Sequence, residues 1–248
     1  MSENNSQRIA LVTGANKGIG FEVARQLARY GYTVLLGARN EERGHEAETK
    51  LKAEGFDAHF VHLDVEDAET HRTVAKFIEE KFGKLDVLVN TAGIARDASF
   101  TASNVSQDLL RKTFDTKFFG VIAVTQVFMP LIKKSDAGRI VNVSSGLGSL
   151  TQHGDPDWEF YEITPLAYNS SKTALNAFTV MLAHELKDTR IKINSADPGY
   201  TATDLNRNSG YKTVEQGKSK SRLSKSFSPK TAKERKGLLI QIKKEDWQ

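Results

Sequence analysis

The chain has 248 residues, 39% of them hydrophobic and 27% charged, with no cysteine and a formal net charge of +4 at pH 7. That length and apolar share suit one α/β domain with an ordinary core, and the lack of cysteine excludes disulfides, thiolate metal sites and cysteine nucleophiles. The basicity sits at one end: from Lys212 onward there are 11 Lys plus Arg against 4 Asp plus Glu, net +7, which leaves residues 1–211 at net −3.

The run RIALVT at 8–13 ends in glycine and leads into a helical pattern through Val23, Ala24, Leu27 and Ala28, so strand, turn and helix are predicted in that order. A strand over 32–38 (YTVLLGA), a charged helix over about 41–54, a strand over 57–63 (DAHFVHL) and a helix over about 67–82 follow. The fourth strand is LDVLVN at 85–90, and helical periodicity then covers about 104–133 with a break or bend expected near Pro130. RIVNVSS at 139–145 is the fifth strand, a helix runs over about 166–187, and IKINSAD at 191–197 is the sixth strand. Nearly all-apolar strands separated by amphipathic helices imply a parallel sheet covered on both faces, a Rossmann-type doubly wound α/β fold in a single domain.

That domain is assigned to residues 1–215. Residues 216–248 are rich in Lys and Ser, and this composition favours disorder, with LLIQI at 238–242 as a candidate last edge strand. The N-terminus MSENNSQR lacks the apolar core of a secretory signal, and no apolar run approaches the roughly 20 residues a membrane span needs. A cytoplasmic protein without a membrane partner is expected. The tail has few aromatics and no nucleic-acid module, so no nucleic-acid partner is expected either.

Two stretches carry chemistry. After the first strand, Thr13 to Gly20 read T-G-A-N-K-G-I-G. Glycines at 14, 18 and 20 permit a tight turn and close approach of a diphosphate, and a helix starting near Ile19 aims its positive end at that charge. The second stretch is Y-N-S-S-K at 168–172. Four residues make one helical turn, so Tyr168 and Lys172 share a face, with small Ser170 and Ser171 leaving room for a ligand. A free tyrosine has a pKa of about 10, and a nearby ammonium is expected to lower it, making Tyr168 a general acid toward a carbonyl oxygen.

These stretches, with N-T-A-G at 90–93, V-N-V-S-S at 141–145 and D-P-G-Y-T-A-T-D at 197–204, stand in the order found in the short-chain dehydrogenase/reductase family, and the chain resembles its carbonyl-reductase-like members over about residues 8–205. The resemblance implies an NADP-dependent oxidoreductase that reduces ketones or aldehydes, with Ser145, Tyr168 and Lys172 as catalytic residues; Ser144 is the alternative register for the serine. It implies cofactor contacts from Gly14, Asn16, Lys17, Gly18, Ile19 and Gly20 in the first turn, and from Ala92 and Gly93 after the fourth strand. Asp64 and Val65 resemble the family's adenine contact and Asn90 its ribose-side contact. Tyr168 and Lys172 would meet the nicotinamide ribose, and Pro198, Gly199, Thr201 and Thr203 the carboxamide.

Arg39 stands where NAD-binding folds usually carry an acid after the second strand. With Lys17 it is expected to meet a 2′-phosphate, so NADPH is favoured over NADH. The six histidines show no metal-ligand pairing, and no metal is predicted. The stretch T-Q-H-G-D-P-D-W-E-F-Y-E-I-T-P between Ser145 and Tyr168 is longer than in the family's simplest members. Two roles are open for it, covering a helix face that pairs subunits elsewhere in the family or lining the substrate site; both imply a monomer.

One position departs from the family. Where it has T-N-F-F-G, this chain has D-T-K-F-F-G, placing Lys117 at an asparagine that holds a relay water. An ammonium only donates hydrogen bonds, and a second cation beside Lys172 would weaken its hold on Tyr168. Cofactor binding with low turnover is therefore the alternative reading.

Overall fold

Parallel strands buried on both faces read as continuous apolar runs, and every residue of β2 (Tyr32–Ala38) is buried in the computed structural model, which describes residues 7–95, 97 and 99–214. The segment 216–248, with its expected disorder and its candidate strand at 238–242, lies outside the described residues. Beside β2 stand β1 (Arg8–Thr13), β3 (Ala58–His62), β4 (Val87–Asn90), β5 (Arg139–Val143) and β6 (Lys192–Ala196). They pair in the order β3-β2-β1-β4-β5-β6, all parallel. This is the predicted doubly wound Rossmann-type fold.

Side chains alternate across each strand. Ala10 and Val12 of β1 join Val34 and Leu36 against α1 (Gly18–Arg29) and α2 (Glu41–Ala53), through Leu27 and Leu51. Ile9 and Leu11 point the other way, into a core with Ile78 of α3 (Ala68–Phe82) and Phe128 of α5 (Gly120–Lys133). Strand order reverses at β1, which pairs with β2 on one side and β4 on the other. Such a switch point leaves a crevice at the carboxyl ends of the strands, where ligands of these folds bind.

The helical stretch expected over 104–133 is interrupted, but not at Pro130, which sits inside α5. After α4 (Gln107–Phe114) the chain forms a π-turn, Asp115–Phe119, before α5 begins. The cause is local packing. A Cβ on Gly120 would lie 2.7 Å from the Val65 carbonyl oxygen, so α5 approaches the β3–α3 loop as only glycine allows. Thr116 donates a 2.5 Å hydrogen bond to Glu66 of that loop. The widened turn directs Thr116 and Lys117 into the protein, where both are buried. Taken as one helix, Gln107–Lys133 is long and apolar enough to cross a membrane, contrary to the expectation that no such run exists, but half of its apolar stretch is buried within this fold.

Candidate active site

The glycine turn leaves β1 at Gly14, whose φ of 65° lies in the left-handed region and whose Cβ would meet Ala92 Cα at 2.9 Å. A Cβ on Gly20 would lie 2.4 Å from the Gly14 carbonyl oxygen. These two glycines let the turn close on the segment after β4, which Thr13 ties down by accepting from the main-chain N–H of Thr91 (3.1 Å) and Ala92 (3.2 Å). Gly18, at φ 57°, is different. Its Cβ would meet only Thr203, at 3.7 Å, so its free side faces the crevice. Gly18, Ile19 and Gly20 open α1, and first-turn N–H groups without helical partners form an anion site. Asn16 lies half-buried in the turn. The turn therefore fits a dinucleotide diphosphate.

At the rim, Lys17 is not free: it forms a 2.5 Å ion pair with Asp204, both side chains being more than half exposed. Arg39 is exposed just past the end of β2. The second cation acting on Asp204 is Arg43, on the first turn of α2, and together with Lys17 it holds that carboxyl below its usual range, Lys17 having the larger effect. Arg43 carried no sequence signal, because it comes near Asp204 only through the fold.

Asp64 and Val65 follow β3 beside the crevice; Asp64 accepts from the Glu66 N–H at 3.0 Å and Val65 is buried. The Asn90 side chain is turned into the sheet, donating to Asn142 Oδ1 at 2.9 Å and to Thr125 Oγ1 at 3.3 Å. The Asn90 Oδ1 is buried without a hydrogen-bond partner.

The chemical end of the site forms where β5 and β6 stop against α7 (Leu166–Glu185). The two serines after β5 diverge: Ser144 is buried and donates to Asn176 of α7 at 2.7 Å, whereas Ser145 is the hydrogen-bond partner of the Tyr168 phenol. Lys172 Nζ donates to the Val143 carbonyl at 2.6 Å and lies 5.9 Å from the Tyr168 ring centroid. Burial pushes Tyr168 up to about 12; the Ser145 hydrogen bond opposes this, and Asp197 and Asp97 add to it. This is the reverse of the lowering expected from Lys172, whose ammonium is turned toward Val143. Burial draws Lys172 down to about 8, against the pull of Asp197.

Lys117 enters the same space. It is 2% exposed, and its Nζ sits 4.6 Å from the Tyr168 ring centroid and fills the place a Cβ on Gly93 would take. Burial and the neighbouring Lys172 push it well below the usual lysine range, with Asp97 pulling weakly the other way. Burial therefore disfavours the ammonium expected at 117 and favours the amine form, which both donates and accepts hydrogen bonds.

Two acids escaped sequence reasoning. Asp97 is buried and accepts from the Tyr168 main-chain N–H at 3.0 Å, fixing the first turn of α7; its Oδ1 has no partner. Asp197, within the D-P-G motif, accepts from the Gly146 N–H at 3.2 Å and the Gly199 N–H at 2.8 Å, joining the Ser145 turn to the β6 loop. A lone acid in a loop has no periodicity to mark it.

The stretch between Ser145 and Tyr168 contributes α6 (Leu150–His153) and a row of edge-packed rings: His153 with Trp158, Trp158 with Phe160, and Phe160 with Tyr200 of the β6 loop at 5.8 Å. Trp158 lies 3.6 Å from where a Gly146 Cβ would be, next to Ser145. It meets the start of α7, where Asn169 donates to the Ile163 carbonyl at 3.0 Å, while farther along that helix Val180 and Met181 are 54% and 70% exposed. Beyond Pro198, Gly199 takes φ 71°, Thr201 is buried and bridged to Lys212, and Thr203 faces Gly18.

The family model of the short chain dehydrogenase matches residues 8–213. Carbonyl reductase [NADPH] 3 of Mus musculus is 34% identical over 251 residues, covering 86% of this chain and 89% of that protein. The solved salutaridine reductase of Papaver somniferum superposes with a TM-score of 0.74 at 32% identity, over 85% of this chain and 92% of that one. A short chain dehydrogenase of Shigella flexneri 2a, solved in complex with NADP, gives a TM-score of 0.70 at 30% identity, over 84% and 86%.

Proposed function

Because this chain belongs to the short-chain dehydrogenase/reductase family of oxidoreductases, we propose that it reduces aldehydes or ketones to alcohols with NADPH, using Ser145, Tyr168 and Lys172. The observation that carries this reading is the half-buried Tyr168, with Lys172 Nζ 5.9 Å from its ring and Ser145 acting on its phenol, at the crevice that begins at the glycine turn. A phenol at about 12 keeps its proton at neutral pH, the state in which it serves as an acid.

The residues that would hold the cofactor are the first-turn N–H groups of α1 with Gly18 for the diphosphate, and Lys17, Arg39 and Arg43 for a 2′-phosphate. Bound there, the nicotinamide supplies a hydride. Ser145 would donate to the substrate oxygen as charge develops on it. Tyr168 passes its proton to that oxygen, and the Lys172 ammonium would stabilise the phenolate left behind once it leaves the Val143 carbonyl. The row from Trp158 to Tyr200 offers ring faces at the mouth, which suits a substrate with a flat or apolar body.

NADPH consumption measured over a panel of aldehydes, ketones and quinones tests the reading, with Ser145→Ala and Tyr168→Phe as controls. Oxidation that persists in both variants would remove these residues from the reaction. A second reading, cofactor binding with little turnover, is favoured by the Lys172 amine being directed at Val143 instead of Tyr168. NADPH binding without NADPH consumption across the panel would select it.

A further inference from the structure

We propose that Lys117 is a carbonyl-condensing amine, a site at which an aldehyde or ketone held by Ser145 and Tyr168 is captured reversibly as an imine. This rests on the reading above only for the presence of a carbonyl compound at Tyr168.

Three observations carry it. The π-turn at Asp115–Phe119 turns the side chain inward, and the bonds that hold it, Thr116 to Glu66 and the close approach of Gly120 to Val65, are not made by Lys117 itself. Its Nζ ends against Gly93 and over the Tyr168 ring at 4.6 Å, inside the constellation that would hold the carbonyl oxygen. The groups facing it are Lys172 and Tyr168 from α7 and Asp97 from the loop after β4, with Asp197 acting on both α7 residues. A primary amine becomes a nucleophile toward carbonyls when it is desolvated or set beside a second cation. Lys117 meets both conditions.

In the step, the Lys117 nitrogen lone pair attacks the carbonyl carbon, and the C=O π electrons move to oxygen, which takes the Tyr168 proton. The nitrogen returns a proton to the Tyr168 phenolate, which passes it to the hydroxyl; water departs as the C=N bond forms, and the remaining nitrogen proton restores the phenol. Hydrolysis returns the amine and the carbonyl compound. No electrons are gained or lost.

The full chain, without cofactor, is incubated at neutral pH with propanal and sodium cyanoborohydride, which reduces imines to stable secondary amines, and the alkylated lysines are located by peptide mass mapping. The expected result is alkylation at Lys117 ahead of every exposed lysine, Lys17 included. Lys117→Met should lose that label and keep the unfolding midpoint within a few degrees; Lys17→Met should keep it. Labelling spread over exposed lysines with Lys117 unmodified would overturn the proposal, whether through protonation or inaccessibility. Cofactor is absent from the reaction, so a chain that fails to oxidise NADPH yet labels at Lys117 would sink the reductase reading and leave this one standing.

Discussion

Lys17 and Lys117 are the same residue type at two ends of one crevice, and their surroundings give them opposite chemistry. Lys17 is half exposed at the rim and pairs with Asp204 in water. Such a pair is screened by salt and contributes little to stability. Lys117 is 2% exposed and faces another lysine, so burial and like charge outweigh the pull of Asp97 on its ammonium. Position in the dielectric, more than identity, sets how readily each lysine here holds its charge.

Perturbing the buried end should have the larger consequences. Tyr168→Phe removes the proton donor and should lower kcat by roughly 10²- to 10⁴-fold, while NADPH affinity measured by fluorescence titration stays near that of the parent. Loss of affinity instead of kcat would place Tyr168 in binding.

The buried end should also govern stability against pH. Lys172 is lowered from 10.5 to about 8 in the fold, so between those values the unfolded chain binds the extra proton and folding becomes more favourable as pH rises. Tyr168 is raised from 10.0 to about 12, so above pH 10 the folded chain is the one that keeps its proton, and stability falls again. Denaturant unfolding should therefore show stability rising from pH 8 to 10 by on the order of 2 kcal/mol, then declining. Lys172→Met should make the rising limb shallower and leave the part due to Lys117, which burial also lowers; a flat profile in the parent would contradict the burial of these groups.

The exposed end sharpens the contrast at smaller magnitude. Arg39→Asp should weaken NADPH relative to NADH by roughly 1.5–3 kcal/mol, the value of a charge-assisted contact, with equal losses for both cofactors removing Arg39 from the phosphate site. Smallest of all, Asp204→Asn should leave the unfolding midpoint unchanged and tighten NADPH a few-fold at low salt, because it frees Lys17. A large drop in stability from that change would mean the rim pair is far less solvated than its exposure implies.

The sheet and its helices were legible because their information is periodic. The runs 8–13 and 32–38 coincide with β1 and β2 residue for residue, since apolar runs of strand length bounded by turn residues have one good solution in a doubly wound fold. The glycine turn and the Tyr168/Lys172 pair were legible for the same reason, both being fixed by spacing along one local element. Three-dimensional approach was not. Only the fold shows that Ser144 turns into α7 while Ser145 meets Tyr168, that Asn90 is spent on Asn142, and that Asp204 takes Lys17. The bend predicted at Pro130 falls instead at Asp115–Phe119, because the β3–α3 loop presses on Gly120 from 55 residues away in sequence, from Val65. The sequence alone therefore determined which residues could form a cofactor turn and an acid; burial and long-range contact decided how hard each lysine finds it to hold a charge, because solvation belongs to the packed structure and has no spacing along the chain.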